Sequence, residues 1–278
     1  MRKFKNIEKL KEKKFKRRFG VRKKTYFLLV KIVNNALKKK KSIGRKTKLN
    51  PQQQVLVTLE YFREYRTYFH IAQDWNVSES TICRTVHKIE KILISSGDLS
   101  LPGKKQLINP EKIKAVLIDV TESPIQRPKK GQKQYYSGKK KQHTLKSQLV
   151  INQINLEIIC CVNSSGKCHD FKMFKKSKLP LHEKIRCLVD KGYQGIKKIH
   201  KRSDIPFKKS KKKKLTEEEK KYNRKINKER ITIEHVNRKL KIFKILSETY
   251  RNRRKRFGLR FNLIAGIYNI ENKSNLAS

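Results

Sequence analysis

Acidic residues are scarce in this 278-residue chain, and three of them occupy positions where a carboxylate could do chemistry. Asp119 lies inside the apolar run AVLIDVT, and Asp190 ends a second apolar run in IRCLVDKGYQG. Glu234 lies on a long helical pattern, about 100° round the helix from its apolar stripe. Carboxylate oxygens are the ligands that hard cations such as Mg²⁺ and Mn²⁺ prefer. A divalent metal centre is therefore one interpretation of these acids.

The placement of the three acids decides whether they can act together. If the strands that carry Asp119 and Asp190 are parallel neighbours, both carboxylates reach the end of the sheet where open α/β sheets bind ligands. Glu234 could then lean over the same edge. Converging carboxylates repel one another unless a cation neutralises them. Two such cations about 3.5 to 4 Å apart activate water or a 3′-hydroxyl and stabilise the leaving oxygen of a phosphodiester.

Each acid also has an ordinary structural interpretation. An aspartate at a strand end commonly caps a turn, and a glutamate on a helix surface is commonly only solvated. The order strand-Asp, strand-Asp, helix-Glu within one α/β unit is more specific than any single member. We therefore predict that Asp119, Asp190 and Glu234 are the catalytic residues and the metal ligands.

The elements that must position these acids follow residue 110. Apolar runs bounded by turn signals predict a mixed five-stranded sheet with flanking helices, an α/β fold. The expected strands lie in KIKAVLIDVT, YYSGKKKQHTLKSQLVINQ, NLEIICCVNSSG, IRCLVDKGY and, as a short edge strand, IPFKKSKKK. A short helix is expected in CHDFKMFKKS. A long helix follows LTEEE, where Thr216 and Glu219 fit a capping box.

Composition changes divide the chain into three expected parts. Residues 1–48 form a basic arm with one helix, in KTYFLLVKIVNNAL. Residues 49–97 form an all-α helix-turn-helix unit, because apolar residues recur there at helical spacing. The segment DLSLPGKKQLINP contains Pro and Gly and is typical of a linker. The α/β unit should then span residues 110–278, including a C-terminal helix.

The helix-turn-helix interpretation depends on particular turn and cap residues. Asn50 and Pro51 fit the start of a helix, and Ser78 fits the N-cap of the second helix of the motif. Asn76, in DWNVS, can adopt the left-handed conformation that the tight turn needs. The residues predicted to contact DNA are Ser78, Glu79, Ser80, Thr81, Arg84, Thr85 and Lys88. A helical hairpin of purely structural use is the alternative.

The net charge of +50, from 73 Lys plus Arg against 23 Asp plus Glu, indicates the kind of partner. A polyanion is expected, and nucleic acid is the commonest one. No apolar run approaches the roughly 20 residues of a membrane helix. We expect a cytoplasmic, nucleoid-associated protein with neither a membrane partner nor a small-molecule substrate. The five cysteines form no CxxC pair, so buried thiols are expected rather than a zinc site.

These motifs resemble those of bacterial insertion-sequence transposases of the DDE superfamily, in insertion-sequence group five, which is related to the Harbinger-type transposases. LIDVTESPIQRP, LVDKGYQG and NKERITIEHVNRKLKIFKIL resemble the three catalytic motifs of that family and match Asp119, Asp190 and Glu234 to its acids. YYSGKKKQHTLKSQLV and GKCHDFKMF resemble signatures between them. The resemblance covers nearly the whole chain. One departure is Val120, where family members usually have glycine after the first aspartate.

The resemblance implies a ribonuclease-H-like fold and cut-and-paste DNA transposition. Metal-activated water would cleave at the ends of the element, and the freed 3′-hydroxyl would attack target DNA. The implied cofactor is Mg²⁺ or Mn²⁺, as two ions, and the implied partner is double-stranded DNA, at both the element ends and the target. Arg230 and Lys241 are candidate DNA contacts. A homodimer or larger assembly on DNA is expected, because two ends must be brought together.

Two other functions stay open. A relative of the same fold could bind DNA sequence-specifically after losing catalysis, and a basic RNA-binding protein is a second possibility that lacks the aromatic sheet motif of such proteins. The roles of Glu122, His169 and Asp170 are open as well. His169 and Asp170 could touch the metal site or form only a turn and a helix cap. The run KKSKKKK at 208–214 is expected to be a solvated loop that also meets DNA backbone.

Overall fold

The computed structural model describes residues 7, 9–39, 47–209 and 214–276. Parts of the expected basic arm and the centre of the lysine run at 208–214 lie outside the described residues. The chain forms two compact units. The first comprises Met1–Ser100, Leu240–Glu248 and Lys255–Ser278, and the second comprises Leu101–Lys239 and Thr249–Arg254.

The described residues contain ten α-helices and six strands. The helices are α1 (Glu12–Phe19), α2 (Lys23–Lys38), α3 (Pro51–Glu64), α4 (Tyr68–Trp75), α5 (Glu79–Ser95), α6 (Gln132–Tyr135), α7 (Asp170–Ser177), α8 (Glu217–Lys241), α9 (Lys244–Ser247) and α10 (Phe257–Leu276). The strands are β1 (Ala115–Pro124), β2 (Tyr136–Ser137), β3 (Gln142–Asn152), β4 (Ile158–Ser165), β5 (Arg186–Leu188) and β6 (Ser203–Asp204).

The first unit contains the expected helix-turn-helix, formed by α4 and α5 beside α3. Asn50 caps α3 in a capping box with Gln53, with hydrogen bonds of 2.8 and 2.9 Å. Asn76 has a φ of 49° in the turn between α4 and α5, and the Ser78 hydroxyl accepts the Thr81 N–H at 3.3 Å. The expected caps and the left-handed turn residue are therefore confirmed.

The basic arm holds one helix more than expected. Besides α2, the segment before it folds as α1, which buries Phe15 and Phe19 completely or nearly so. Gly20 ends α1 with a φ of 79°, and a side chain there would collide with the Phe243 ring. The sequence predicted a single helix in the arm, because the many lysines around Phe15 and Phe19 obscure their helical pattern. These two residues have the i and i+4 spacing of one helical face.

The C-terminal helix α10 was expected with the α/β unit at 110–278, but it belongs to the first compact unit. A buried ion cluster accounts for this difference. The fully buried Arg260 donates to Glu90 of α5 at 2.6 Å, and Arg256 donates to the other oxygen of Glu90 at 2.5 Å. A buried carboxylate requires such partners, so α10 is tied to the helix-turn-helix.

The second unit is a mixed sheet with strand order β2-β3-β1-β5-β6, and β4 also pairs with β3. β1 runs antiparallel to β3 and parallel to β5, as the placement of the two aspartates required. The expected hairpin between the second and third long strands is present as β3 and β4. With its flanking helices, the sheet is an α/β domain of the ribonuclease-H-like type.

The sheet has six strands rather than five, and its last edge strand lies earlier than expected. β6 consists of Ser203 and Asp204, whereas IPFKKSKKK contributes no strand within the described residues. Pro206 lacks an N–H donor. The backbone of Phe207 bonds to the side chain of Asn223 on α8, through contacts of 2.7 and 3.1 Å. The backbone hydrogen bonds of Phe207 are therefore made with α8 and not with a neighbouring strand.

Alternation along β1 sends neighbouring side chains to opposite faces of the sheet. Ile118 and Val120 pack into a buried cluster that includes Phe174 of α7. Asp119 points to the other face, where α8 reaches it. Because β5 ends at Leu188, the level of Asp119 lies past the end of its parallel neighbour. β5 therefore makes no strand pairing with β1 at the level of this aspartate.

Candidate metal centre and nucleic-acid interface

Asp119 is mostly buried and held by two residues of α8. Asn237 donates to its Oδ2 at 2.9 Å, and the Arg230 guanidinium lies 3.6 Å from its Oδ1. Burial raises the pKa of the Asp119 carboxyl from 3.8 to about 6. The Arg230 charge opposes this shift, and the charges of Asp190 and Asp170 add to it. Burial and the neighbouring aspartates thus oppose the negative charge of Asp119.

Asp190 lies beside Asp119 and does two things at once. The register of β1 and β5 pairs Leu117 with Leu188, so Asp119 and Asp190 each lie two residues beyond this last pair. Asp190 also caps a turn, because its Oδ1 accepts the Gly192 N–H at 2.8 Å. The turn-cap interpretation and the metal-ligand interpretation are therefore compatible, since the second oxygen of the carboxylate is not used by the cap.

Asp170 joins these two aspartates. A Cβ placed on Gly192 would lie 3.0 Å from Oδ1 of Asp190 and 3.3 Å from Oδ2 of Asp170. Both carboxylates therefore border the same small space. A side chain at position 192 would extend into that space.

Glu234 is the acid that the structure does not bring into the cluster. Its side chain is exposed. However, Arg230 and Asn237, which both contact Asp119, lie four residues before it and three residues after it on α8. At about 100° per residue, Glu234 lies roughly 40° to 60° round the helix from these two positions. It therefore borders the face of α8 that covers Asp119.

The donor set fits a hard divalent cation, although it is not yet arranged around one. In the described part of the chain, no group of three His, Cys, Asp or Glu side chains is positioned to hold a metal ion. The buried amide oxygen of Asn237 and the buried hydroxyl of Tyr193 both lack a hydrogen-bond partner among the described residues. Oxygen donors beside carboxylates are what Mg²⁺ and Mn²⁺ bind.

Val120 does not crowd this site. Members of the resembled family usually have glycine after the first aspartate, and the expectation was that a branched side chain there could crowd the metal site. In β1, the side chain of Val120 points away from the Asp119 face and packs against the apolar cluster that contains Val150 and Tyr193. The substitution therefore adds apolar contact beneath the site.

Lys146 on β3 links two further acids near the site. Its ammonium lies 2.8 Å from Oδ1 of Asp170 and 3.9 Å from Oε1 of Glu122. Glu122 also accepts a hydrogen bond of 2.9 Å from Thr144. His169 is exposed at the start of α7 and provides no side-chain cap there. Of the residues whose roles were open, Asp170 is thus the one that borders the aspartate cluster.

The predicted DNA-contact face of α5 is exposed in large part. Ser78, Glu79, Ser80 and Arg84 are exposed, and Thr81 is half-buried. Lys88 is also half-buried and donates to Gln54 of α3 at 3.0 Å. A groove of about 490 Å³ runs along this face, lined by Thr47, Lys48, Leu49, Gln54, Ser78, Thr81, Arg84, Thr85 and Lys88.

Thr85 was expected on the outward face, and that expectation was wrong. Its exposed fraction is 8%. Thr85 lies three residues after the buried Ile82 and four before the buried Ile89, so helical spacing turns it towards the core. The exposed face of α5 is therefore narrower than the sequence indicated.

Two regions of the chain match family profiles, and nearly the whole chain matches one relative. A profile described as "DDE superfamily endonuclease" matches residues 118–269, and one described as "Helix-turn-helix of DDE superfamily endonuclease" matches residues 47–98. The chain is 56% identical over 269 residues to the "Probable transposase for insertion sequence element IS702" of Microchaete diplosiphon, across 95% of this chain and 98% of that protein. The chain belongs to the DDE superfamily of transposases. No solved structure matches this transposase.

The family places a DNA-binding and a DNA-cutting function in one chain. This transposase carries its helix-turn-helix ahead of its endonuclease domain, in the order that the sequence predicted. The endonucleases of this superfamily generally use divalent metal ions. Among the described residues, no helix has both the length and the apolar character to cross a membrane.

Two site residues of the transposase were missed or left open at the sequence level. Asn237 was only one of several polar residues near Glu234, and its contact with Asp119 spans 118 positions of the chain. Asp170 looked like a helix cap. The available signal for Asn237 was its i+3 spacing from Glu234 on one helical face. The sequence left Asp170 open between the metal site and a helix cap, because its position beside Asp190 arises from the tertiary fold.

Proposed function

We propose that this transposase cuts DNA at the ends of an insertion sequence and joins the freed 3′ ends to target DNA, with Asp119, Asp190 and Glu234 as the carboxylates that hold divalent metal ions. The pairing of β1 with β5 carries this proposal, because Asp119 and Asp190 each lie two residues beyond the last residue pair of these parallel strands. The family match and the name of the relative from Microchaete diplosiphon support the same function.

Glu234 completes the set through its position on α8. Arg230 and Asn237 anchor the helix to Asp119, so the backbone of Glu234 is held close to the cluster. Rotation of the Glu234 side chain about its own torsions is the movement needed to turn its carboxylate towards the aspartates. Like-charge repulsion opposes that movement until a cation is present, which accounts for the exposed position of the side chain.

The metal, Mg²⁺ or Mn²⁺ and as two ions, supplies an activated oxygen nucleophile and charge stabilisation on the phosphodiester. The chain provides the ligands and holds the substrate. Arg230 now neutralises Asp119 at 3.6 Å. If a metal ion neutralised Asp119 instead, the Arg230 guanidinium would be released from this contact. It could then donate two hydrogen bonds to the scissile phosphate. Arg230 is therefore assigned to DNA.

DNA recognition is assigned to the first unit. The exposed residues of α5, with Arg84 as their cation, face the groove that the element-end sequence would occupy. Lys241, half-buried at the end of α8, is assigned a phosphate contact. The partners are element-end DNA and target DNA. Joining both ends to one target requires two copies of the active site, so the assembly on DNA is a homodimer or larger, in the cytoplasm at the nucleoid.

Nicking of labelled DNA that carries the element's own end sequence tests the proposal. In Mg²⁺, Asp119→Asn, Asp190→Asn and Glu234→Gln should each reduce the nicking rate by at least about 10³-fold. DNA affinity, measured separately by fluorescence anisotropy, should be unchanged or higher because a negative charge is removed. Asp98→Asn, an exposed aspartate of the first unit, is the matched control and should nick at the wild-type rate.

The outcomes separate the assignments. Nicking by Glu234→Gln at the wild-type rate would remove Glu234 from the catalytic set and leave the two aspartates. Wild-type protein that binds the end sequence but never nicks it would instead support the alternative of a DNA-binding relative without catalysis. Loss of DNA affinity in the aspartate variants would mean that these residues support the fold or the interface rather than the chemistry.

A further inference from the structure

One oxygen of the Asp170 carboxylate accepts a hydrogen bond, and the other borders the space that Asp190 also borders. It opens α7, and its Oδ1 accepts a hydrogen bond of 2.8 Å from Lys146, whose ammonium also donates to the backbone oxygen of Cys168 at 2.8 Å. Its Oδ2 points to the space over Gly192. Lys146 therefore holds one oxygen of the carboxylate from the sheet side, and the other oxygen borders the space over Gly192.

The space over Gly192 brings Asp170 and Asp190 together. A Cβ on Gly192 would lie 3.0 Å from an oxygen of Asp190 and 3.3 Å from an oxygen of Asp170. The two oxygens can be no further apart than the sum of those distances. Two carboxylates that border the same space bind a shared cation or a shared proton more favourably than they carry two unshielded negative charges.

A second, independent observation concerns the residue that follows Gly192. Tyr193 is fully buried, and its hydroxyl has no hydrogen-bond partner among the described residues. Tyr193 directly follows Gly192, and its backbone N–H donates to the backbone oxygen of Asp190 at 3.2 Å. A buried hydroxyl without a partner is costly, and a hydrated cation beside Asp190 would give it one.

The charges around the aspartates do not balance. Arg230 is the cation of Asp119, and Lys146 is the cation of Asp170. Asp190 has no ion pair among the described residues, and its one side-chain hydrogen bond there comes from the backbone of Gly192. An uncompensated carboxylate is unusual in a chain whose net charge is +50. The cluster is thus short of positive charge at Asp190, next to the free oxygen of Asp170.

We propose that Asp170 is a fourth carboxylate of the metal centre and binds a divalent cation together with Asp190 over Gly192. The proposal rests on the function proposed above for Asp119 and Asp190 and adds one ligand to it. With a metal bound, Oδ1 of Asp170 would keep its contact with Lys146, and Oδ2 would be the oxygen available to the metal. The alternative is that Asp170 only positions Lys146 against the sheet.

Mn²⁺ binding to the full-length chain tests the proposal without any cleavage assay. Free Mn²⁺ is quantified by electron paramagnetic resonance during titration of wild type, Asp170→Asn, Asp190→Asn and Lys146→Met. Asp98→Asn is the matched control, an exposed aspartate outside the second unit. Asp170→Asn should weaken Mn²⁺ binding by about tenfold or more, and Asp98→Asn should leave it unchanged.

Lys146→Met separates a ligand from a positioning residue. It breaks the same ion pair as Asp170→Asn but leaves the carboxylate in place and removes a competing cation. The proposal predicts Mn²⁺ affinity equal to or above that of wild type. Weakened affinity in Lys146→Met would mean that Asp170 acts through the lysine, and the proposal would be wrong. This variant keeps the test valid even if Asp170→Asn folds poorly, which circular dichroism would reveal.

Failure of this proposal is distinguishable from failure of the proposed function. If Asp190→Asn loses Mn²⁺ affinity and Asp170→Asn retains it, Asp170 is not a ligand and the metal centre stands without it. If neither substitution changes Mn²⁺ affinity, the metal centre itself is wrongly placed, and both proposals fall.

Discussion

At the scale of single residues, the site consists of charges that the fold tolerates poorly on their own. Asp119 is mostly buried, and its negative charge is opposed by burial and by Asp190 and Asp170. Such a residue lowers the stability of the free protein, as functional residues commonly do. The cost is offset when a cation binds, because a ligand that binds only the native state stabilises it.

The raised pKa of Asp119 gives a pH dependence with a definite sign. Its value in the folded chain, about 6, lies above its ordinary value of 3.8. The native state therefore keeps a proton that the unfolded chain has lost, and the free energy of unfolding falls as pH rises from about 4 to about 6. In chelator, wild type should lose up to about 3 kcal/mol across this range relative to Asp119→Asn.

Urea unfolding followed by circular dichroism at several pH values measures this difference. The comparison between variants removes the contribution of all other titrating groups. Adding Mg²⁺ above pH 6 should restore stability to wild type and not to Asp119→Asn. Identical pH dependence in the two proteins would show that the Asp119 carboxylate is well stabilised in the fold without a metal.

Only part of this site was predictable residue by residue. Asp119 and Asp190 stand out because an acid inside or at the end of an apolar run is unusual. Asp170 and Asn237 do not stand out, since an acid at a helix start and an amide on a helix surface are ordinary. Their contacts with the aspartates depend on how distant elements pack, which local patterns do not encode.

At the scale of elements, the short length of β5 and the length of α8 create the site. β5 pairs over three residues, so the level of Asp119 lies past its end. α8 is fixed to the second unit along its length, by Tyr222 donating to Asp204 at 2.8 Å and by Glu229 accepting from Arg186 at 2.6 Å. The helix therefore presents Arg230, Glu234 and Asn237 at defined positions.

The sequence predicted elements best where several local signals agreed. The capping box at Thr216 and Glu219 is confirmed by hydrogen bonds of 3.0 and 3.2 Å. α1 was missed because a lysine-rich segment hid its two phenylalanines. The edge strand was misplaced because a side-chain contact between Asn223 and Phe207, distant in sequence, replaced strand pairing.

The buried pair between Glu90 and Arg260 should determine whether α10 stays folded onto α5. Arg260→Met leaves the carboxylate of Glu90 buried with one fewer partner, and we expect a loss of about 3 to 5 kcal/mol in the free energy of unfolding of the first unit. The fluorescence of Trp75, the single tryptophan and a buried residue of this unit, reports its unfolding in urea.

Arg256→Met is the matched control for Arg260→Met. Arg256 binds the same carboxylate, but 31% of its side chain is exposed. Water can therefore replace part of the lost interaction, and the effect should be clearly smaller. Equal losses in the two variants would contradict the special role assigned to the buried arginine.

Arg84 tests the narrowed DNA-contact face of α5. Arg84→Ala should weaken binding to the element-end sequence by about 1 to 3 kcal/mol if it contacts a base edge. If it contacts a phosphate instead, binding should weaken equally on all sequences and the salt slope should fall by about 1. Lys31→Ala, an exposed lysine of α2, is the control. Wild-type affinity in Arg84→Ala would remove α5 from the interface.

At the scale of the whole molecule, the charge of +50 should dominate DNA affinity without giving sequence specificity. Phosphate contacts release counterions, so affinity for unrelated DNA should fall by about 10³-fold or more between 50 and 200 mM salt. Anisotropy titrations at several salt concentrations measure this slope. Asp190→Asn should show the same slope, because the acids contact no phosphate in the absence of metal. A fall of less than tenfold would contradict the electrostatic account.

The most direct test of the metal centre is an anomalous difference map from crystals of the chain grown or soaked with Mn²⁺. The account predicts at least one peak about 2.0 to 2.2 Å from carboxylate oxygens of both Asp119 and Asp190, with the Glu234 side chain turned towards it. Mn²⁺ bound elsewhere, with no peak in contact with either aspartate, would contradict the assignment of this sheet edge as the catalytic centre.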